Sequence, residues 1–231
     1  MPYEYESHPA TTEDVVLLAL GALAETRDLE TGGHLLRTQH YMRILAERLA
    51  PHPRFRAFLT PAAINLCFKS APLHDIGKVG IPDRILRKPG RLTPEEFEIM
   101  KGHAALGRDA IAAAERRAGR SVPFLAFAKD IAWAHHERWD GAGYPRGLAE
   151  EAIPVPARLM AVADVYDALV APRVYKPGLG HALARDILAA GAGLHFDPAV
   201  VEAFLATEVT FREIAGAFAE PLPPGPPGPG L

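Results

Sequence analysis

Helix-start signals recur along this chain and constrain its fold more than any other feature. A polar capping residue stands directly before a proline at Thr60, Thr93 and Asp197, and Glu96 follows Thr93 three residues later. Proline is well suited to the first position of an α-helix, because an N–H group at that position would have no partner within the helix. No segment alternates apolar and polar residues for long enough to predict a β-strand. The sequence therefore predicts an all-α domain.

Apolar spacing places helices over most of the chain. From Phe97 to Ile111, apolar or small residues recur at intervals of three and four, as on the buried face of a helix. Thr210 and Glu213 form a further capping box, which predicts that a separate last helix begins there. A long irregular stretch is expected between residues 137 and 156. The predicted helices cover residues 12–27, 32–50, 60–75, 94–118, 123–137, 156–170, 181–190, 198–207 and 210–218.

The two ends of the chain lack this periodicity. Residues 1–11 are interpreted as an N-terminal arm or linker remnant, and the Pro/Gly-rich residues 219–231 as a flexible tail. The remaining residues, 12–218, are interpreted as one domain, which the length of 231 residues allows. The single cysteine, Cys67, excludes an intramolecular disulfide framework and a zinc site built from several thiolates.

Charge and hydropathy narrow the classes of partner. The net charge of −3 gives no overall basic field, so neither nucleic acid nor an anionic membrane surface is an expected partner. The longest apolar stretch, Val15 to Ala24, has ten residues, about half of what a membrane-spanning helix needs. Because no basic leader precedes this stretch, a cytoplasmic protein without membrane insertion is predicted.

Histidines and aspartates form the pattern that carries chemistry. The pairs His74-Asp75 and His135-His136 fall near predicted helix ends, His103 lies between them, and Asp164 interrupts an apolar run. Adjacent helical residues point about 100° apart, so each pair suits a cluster of two or more metal ions better than one ion. Imidazole and carboxylate donors without thiolate suit manganese, iron or zinc. An ordinary surface or core role is retained for five other histidines, His8, His40, His52, His181 and His195.

Several segments together resemble the HD-GYP family of bacterial cyclic di-GMP phosphodiesterases. They are HDIGK, KPGRLTPEEFEIMKGH, HHERWDGAGYPRGL, ARLMAVADVYDAL and the segment from Arg173 to Lys176. The segment TRDLETGGHLLRTQHY is similar to the opening of that family, so the resemblance extends from about Asp28 to Pro198. It implies an HD-type helical bundle elaborated with extra helices, with the GYP loop between two core helices.

The resemblance also implies a metal cofactor of two or three divalent ions, iron or manganese. Asp75 is the ligand expected to bridge two ions. Glu30, four residues before His34, matches a position that accompanies the three-metal form, and its alternative role is a carboxylate favoured at a helix start. The implied metal ligands are Glu30, His34, His74, Asp75, His103, His135, His136 and Asp164.

The implied reaction is metal-dependent hydrolysis of cyclic di-GMP to linear pGpG and onward to GMP, in bacterial second-messenger signalling. Asp75 and Lys78 are the implied catalytic residues. The family's Arg-Pro-Tyr-Lys element appears here as Arg173-Val174-Tyr175-Lys176, a departure from the family pattern close to the ligand. The implied substrate-binding residues are Lys78, Tyr144, Asp167, Arg173 and Lys176.

Partners and alternatives follow from the same resemblance. A cyclase-domain protein would bind through the GYP loop. Apart from the resemblance, the apolar first helix is expected to pack either on its own domain or on a second copy of the chain, which would form a homodimer. Two alternatives to the phosphodiesterase stay open. One is a catalytically weak HD-GYP module that binds cyclic di-GMP or a protein partner, and the other is a phosphodiesterase for a different cyclic dinucleotide.

Overall fold

The computed structural model describes residues 11–27, 33–172 and 178–219. These residues contain α-helices, short 3-10 turns and no β-strand, which confirms the predicted all-α class. No helix in these ranges is both long enough and apolar enough to cross a bilayer. The helices are α1 (Thr12–Glu25), α2 (His34–Leu49), α3 (Pro61–Ser70), α4 (Asp83–Leu86), α5 (Pro94–Ala118), α6 (Pro123–Ala134), α7 (Val155–Val170), α8 (His181–Ala190) and α9 (Pro198–Ala217).

The helix starts predicted from Thr60, Thr93 and Asp197 are confirmed at atomic detail. The Thr60 hydroxyl accepts a hydrogen bond from the Ala63 amide at 3.2 Å, and α3 begins at the following proline. Thr93 and Glu96 form the full capping box at the start of α5. Asp197 caps α9 by accepting a hydrogen bond from the Ala199 amide at 2.9 Å. Each cap satisfies a backbone N–H group that the helix itself leaves unpaired.

The largest errors in the predicted helix boundaries lie at Thr210 and at the end of the helix predicted for 60–75. Thr210 starts no new helix, because α9 runs unbroken from Pro198 to Ala217 and buries Phe204, Phe211 and Ile214 along its length. A capping box sequence has no effect inside a helix that already supplies the backbone partners. The helix predicted for 60–75 ends earlier, at Ser70, where a 3-10 turn containing Pro72 follows. Proline has no N–H to continue the α-helical hydrogen bonds.

The main core lies where α2, α7 and α9 meet. Tyr41 of α2 is fully buried and stacks on Phe211 of α9, with ring centroids 4.4 Å apart. The Tyr166 ring of α7 meets the edge of Tyr41 at 5.2 Å. Burying each such side chain contributes about 1.5–3 kcal/mol. This apolar packing fixes the N-terminal half of α2 against α7, and both segments carry predicted metal ligands.

The turn that contains the HDIGK segment packs closely on α5. A Cβ atom at Gly77 would overlap the carbonyl oxygen of His103 and would lie 2.5 Å from the amide nitrogen of Gly107. Only glycine permits this approach of the two backbones. Gly77 therefore sets the distance between the turn that carries Asp75 and the helix that carries His103.

Replacing Gly77 with alanine tests this packing. We expect Gly77→Ala to lower the free energy of unfolding by about 1–3 kcal/mol, because the added methyl group forces the turn away from α5. Thermal or urea unfolding measures this change. Gly102→Ala on α5 is the matched control, since nothing lies within 4 Å of the added Cβ atom. Alanine in a helix interior should stabilise the control by about 0.5–1 kcal/mol, and a tolerated Gly77→Ala would contradict the proposed close approach.

Candidate metal centre

The structure brings together all of the predicted metal ligands that lie among the described residues. They form two groups, and within each group the potential ligand atoms lie within 4.8 Å of one another. The groups draw on α2, α5, α7, the HDIGK turn and the end of α6. The first group is Asp75, His103, His135 and His136, and the second is His34, His74 and Asp164.

Asp75 lies between the two groups. Its Oδ1 atom is 3.2 Å from His103 Nε2 and 3.5 Å from His135 Nε2. Its Oδ2 atom is 3.3 Å from His74 Nε2, which belongs to the other group. The Lys78 ammonium lies 2.7 Å from the same Oδ2 atom. One carboxylate thus faces both groups, as a bridging ligand must.

Backbone carbonyls orient three of the imidazoles. The Nδ1–H groups donate from His74 to Ala71 O at 2.9 Å, from His103 to Met100 O at 2.7 Å and from His135 to Ile131 O at 2.9 Å. A carbonyl oxygen can only accept, so the proton of each neutral ring is on Nδ1. The Nε2 lone pair of each ring therefore points into the centre, as in metal-ligating histidines whose other nitrogen is held by a hydrogen bond.

The resulting cluster is composed of hydrogen-bond acceptors. Asp75 Oδ1, His103 Nε2 and His135 Nε2 are buried without a hydrogen-bond partner. In the second group, His34 Nε2 and His74 Nε2 face each other at 3.3 Å, while the Nδ1 atom of each ring is engaged elsewhere. Buried lone pairs that converge without a donor are costly, and a cation between them removes that cost. The donor set fits divalent metal ions of the manganese, iron and zinc type.

Charges around the cluster favour the protonation states that bind metal. Burial by itself would raise the pKa of Asp75, but the Lys78 ammonium and the neighbouring imidazoles outweigh it and hold that pKa well below its ordinary value. Burial, together with His135 and His103, lowers the pKa of His136 well below that of a free imidazole. Asp75 is therefore ionised and His136 neutral, which is the form in which each binds a metal ion.

The second group is completed by Asp164 of α7. Its Oδ1 atom lies 3.8 Å from His34 Nε2 and 4.0 Å from His74 Nε2. The apolar run around this residue is buried, including Leu159 and Val162 on the same helix. An aspartate in such a run was the sequence signal for a cation, and its placement beside two imidazoles agrees with that signal.

Asp167, which was predicted to bind substrate, lies beside a predicted metal ligand. It is buried one turn along α7 from Asp164, beneath the His34 ring. Its Oδ2 atom accepts from His34 Nδ1 at 2.8 Å, and both oxygens accept from Arg37 at 2.7 and 2.9 Å. Both oxygens thus have partners in the structure, and Asp167 orients His34. Substrate binding by Asp167 stays a prediction. Glu30, Arg173 and Lys176 lie outside the described residues.

The GYP loop, residues 135–154, forms one side of the centre. The Tyr144 ring stacks on His136 with centroids 4.7 Å apart and is half-buried. Burial, together with the charges of Asp75 and Asp164, raises the pKa of the Tyr144 phenol, so it stays neutral. This places a planar aromatic surface directly beside a predicted metal ligand.

Two residues that hold the site were not found from the sequence. Buried Glu137 accepts hydrogen bonds from the Arg146 amide at 2.8 Å and the Leu148 amide at 3.0 Å, which closes the GYP loop. Its sequence signal was a carboxylate directly after the histidine pair. Arg37 lies one helical turn after His34, and a basic residue facing the core side of α2 was the corresponding signal.

The profile of the HD domain family matches residues 33–200, which include the helices α2 to α8. A cyclic di-GMP phosphodiesterase of Vibrio cholerae is 60% identical over 210 residues, covering 91% of this chain and 42% of the relative. A probable cyclic di-GMP phosphodiesterase of the same organism is 56% identical and covers 90% of this chain and 47% of the relative. The chain thus spans less than half the length of these two relatives.

Among solved structures, a protein of Bdellovibrio bacteriovorus described as HDG"Y"P is similar in fold. The TM-score is 0.56 at 18% sequence identity, covering 85% of this chain and 64% of that protein. At this identity the likeness concerns the fold alone. With the family profile spanning most of the chain and the expected motifs meeting in one centre, the chain belongs to the HD domain family, in its HD-GYP group.

Proposed function

We propose that this chain hydrolyses cyclic di-GMP in a metal-dependent reaction. The observation that carries the proposal is the buried convergence of acceptor atoms on Asp75, with Lys78 beside it. Such a centre suits an anionic phosphodiester, whose charge otherwise repels an attacking hydroxide. The activity named for the two Vibrio relatives agrees with this chemistry.

Different residues are proposed for metal binding and for substrate binding. The seven ligands of the two groups would hold divalent ions, which when bound lower the pKa of water and neutralise phosphoryl charge. Lys78 adds a positive charge next to Asp75, where a phosphate oxygen would approach. Tyr144 offers a flat ring on which a guanine base would stack. Arg173 and Lys176 are proposed for the remaining phosphate charge.

The reaction opens the cyclic dinucleotide ring. Water supplies a hydroxyl group to phosphorus and a proton to the departing 3′ oxygen, so that the P–O3′ bond breaks and linear pGpG forms. A second cleavage of the same kind would give GMP. We propose iron or manganese as the metal, in two sites or in three with Glu30 as a further ligand.

We also propose the domain limits and the setting of this activity. The catalytic domain is residues 12–218, between an N-terminal arm at 1–11 and a flexible tail at 219–231, and the protein is cytoplasmic. A cyclase-domain partner would bind the GYP loop. A homodimer would use the outward side of α1, where large apolar side chains are exposed: Val15, Val16, Leu20 and Leu23.

Asp75→Ala tests the metal centre. We expect turnover of cyclic di-GMP to fall at least about a hundredfold, with a loss of bound metal, because the carboxylate faces both ligand groups. Metal analysis and product chromatography on anaerobically purified protein measure both quantities. Asp186→Ala is the control, since that carboxylate is exposed on α8 and pairs only locally with Arg185.

Two results would count against the proposal in different ways. Turnover that survives Asp75→Ala would exclude this centre as the active site. Metal binding without turnover in the parent protein would favour the alternative of a catalytically weak module that binds cyclic di-GMP or a protein partner. Faster turnover of another cyclic dinucleotide would show that the substrate is not cyclic di-GMP.

Tyr144→Ala tests the substrate side of the pocket. We expect KM for cyclic di-GMP to rise about fivefold or more, because base stacking on an aromatic ring contributes about 1–3 kcal/mol. Metal content should stay at the parent level, since the Tyr144 ring stacks on His136 without belonging to either ligand group. Tyr144→Phe keeps the ring and should keep KM near the parent value. Loss of metal in Tyr144→Ala would show that the loop has a structural role instead.

A further inference from the structure

His34 is held differently from three other imidazoles of the centre. His74, His103 and His135 are oriented by backbone carbonyls three or four residues away in their own segments. His34 is oriented by a side chain from another helix, because its Nδ1 atom donates to Asp167 of α7 at 2.8 Å. The position of His34 thus depends on what fixes Asp167.

Arg37 fixes Asp167. Its Nε and Nη2 atoms donate to the two carboxylate oxygens at 2.7 and 2.9 Å, a bidentate pair in which both side chains are almost completely buried. Two parallel hydrogen bonds set the plane of the carboxylate as well as its distance. Because Oδ2 also accepts from His34, the direction of the imidazole follows from that plane.

The C-terminal end of α9 holds Arg37 in turn. The Arg37 Nη1 atom donates to the carbonyl of Phe218 at 2.9 Å. The Phe218 ring stacks on His40, one turn further along α2, with centroids 5.1 Å apart and planes at 14°. A Cβ atom at Gly33 would overlap the Phe218 carbonyl oxygen, so the start of α2 and the end of α9 are closely packed at this point. The negative end of the helix dipole also favours a guanidinium at this point.

We propose that Arg37, anchored by the end of α9, is a positioning residue for the metal subsite made of His34, His74 and Asp164. The relay runs from Phe218 through Arg37 and Asp167 to His34, and it leaves the other subsite to its local carbonyls. Metal occupancy of one subsite thereby depends on how the end of α9 is docked. The inference rests on the proposed metal centre.

A second buried Arg–Asp pair provides the matched control. Arg158 Nη1 donates to Asp197 Oδ2 at 2.8 Å, and Arg54 also binds Asp197. Removing Arg158 leaves the buried Asp197 carboxylate with Arg54 and the Ala199 amide, and removing Arg37 leaves the buried Asp167 carboxylate with His34. The Asp197 carboxylate caps α9 and contacts none of the seven ligands in the described ranges.

The test uses Mn²⁺ added to chelator-treated, folded protein, with binding and electron paramagnetic resonance as readouts. The parent should bind at least two ions and show the broadened spectrum of a coupled pair. Arg37→Met should weaken one site about 10- to 100-fold and show the six-line spectrum of an isolated ion. Arg37→Lys, which keeps the charge without the fork, should lie between the two, and Arg158→Met should bind like the parent.

The contact with α9 is tested by shortening the chain. A chain that ends after Ala217 lacks the Phe218 carbonyl and should weaken the same site, whereas a chain that ends after Ala219 should not. If circular dichroism shows that Arg37→Met is unfolded, this pair of shortened chains tests the proposed role of Arg37 instead. If Arg37→Met folds and binds both ions like the parent, the inference is overturned and the metal centre stays intact. If Arg37→Met does not fold, parent-like binding by the chain ending at Ala217 has the same meaning. A parent protein that binds no Mn²⁺ would instead refute the proposed centre itself.

Discussion

The centre is governed by one electrostatic constraint, the convergence of lone pairs on Asp75. Oxygen and nitrogen acceptors from five segments of the chain point into one buried space, and Asp75 Oδ1, His103 Nε2 and His135 Nε2 have no donor there. Acceptors do not gather in this way unless the surrounding packing stabilises the arrangement or a cation compensates it. Apolar packing of Tyr41 on Phe211 and Tyr166 supplies the first condition, since it fixes α2 and α7 behind the centre.

Close backbone packing supplies the precision that apolar burial alone does not give. Gly77 lets the HDIGK turn touch α5, so Asp75 reaches His103 at 3.2 Å. Each carbonyl that accepts from a ligating ring belongs to the same helical segment as that ring, so the ring and its support move together. The same logic applies at the GYP loop, where Glu137 binds two amides and brings Tyr144 onto His136.

Much of the fold, and the grouping of the histidines and aspartates, was predictable from the sequence because their signals are local. Caps at Thr60, Thr93 and Asp197 mark helix starts through contacts within three residues, and the adjacent His and Asp residues lie within short motifs. The failures concern partners across space. Thr210 starts no helix because α9 already runs through it. The sequence around Asp167 does not reveal its partner, the guanidinium of Arg37 on another helix.

The contrast between local and long-range support has a consequence for the centre as a whole. Local carbonyl contacts persist as long as their own helical turn is intact, whereas the support of His34 requires α2, α7 and α9 to be docked at once. A local opening of the α9 end would break the Phe218–Arg37 contact without disturbing Asp75 and its imidazoles. The subsite of His34, His74 and Asp164 is therefore the half of the centre whose geometry depends on the docking of distant helices.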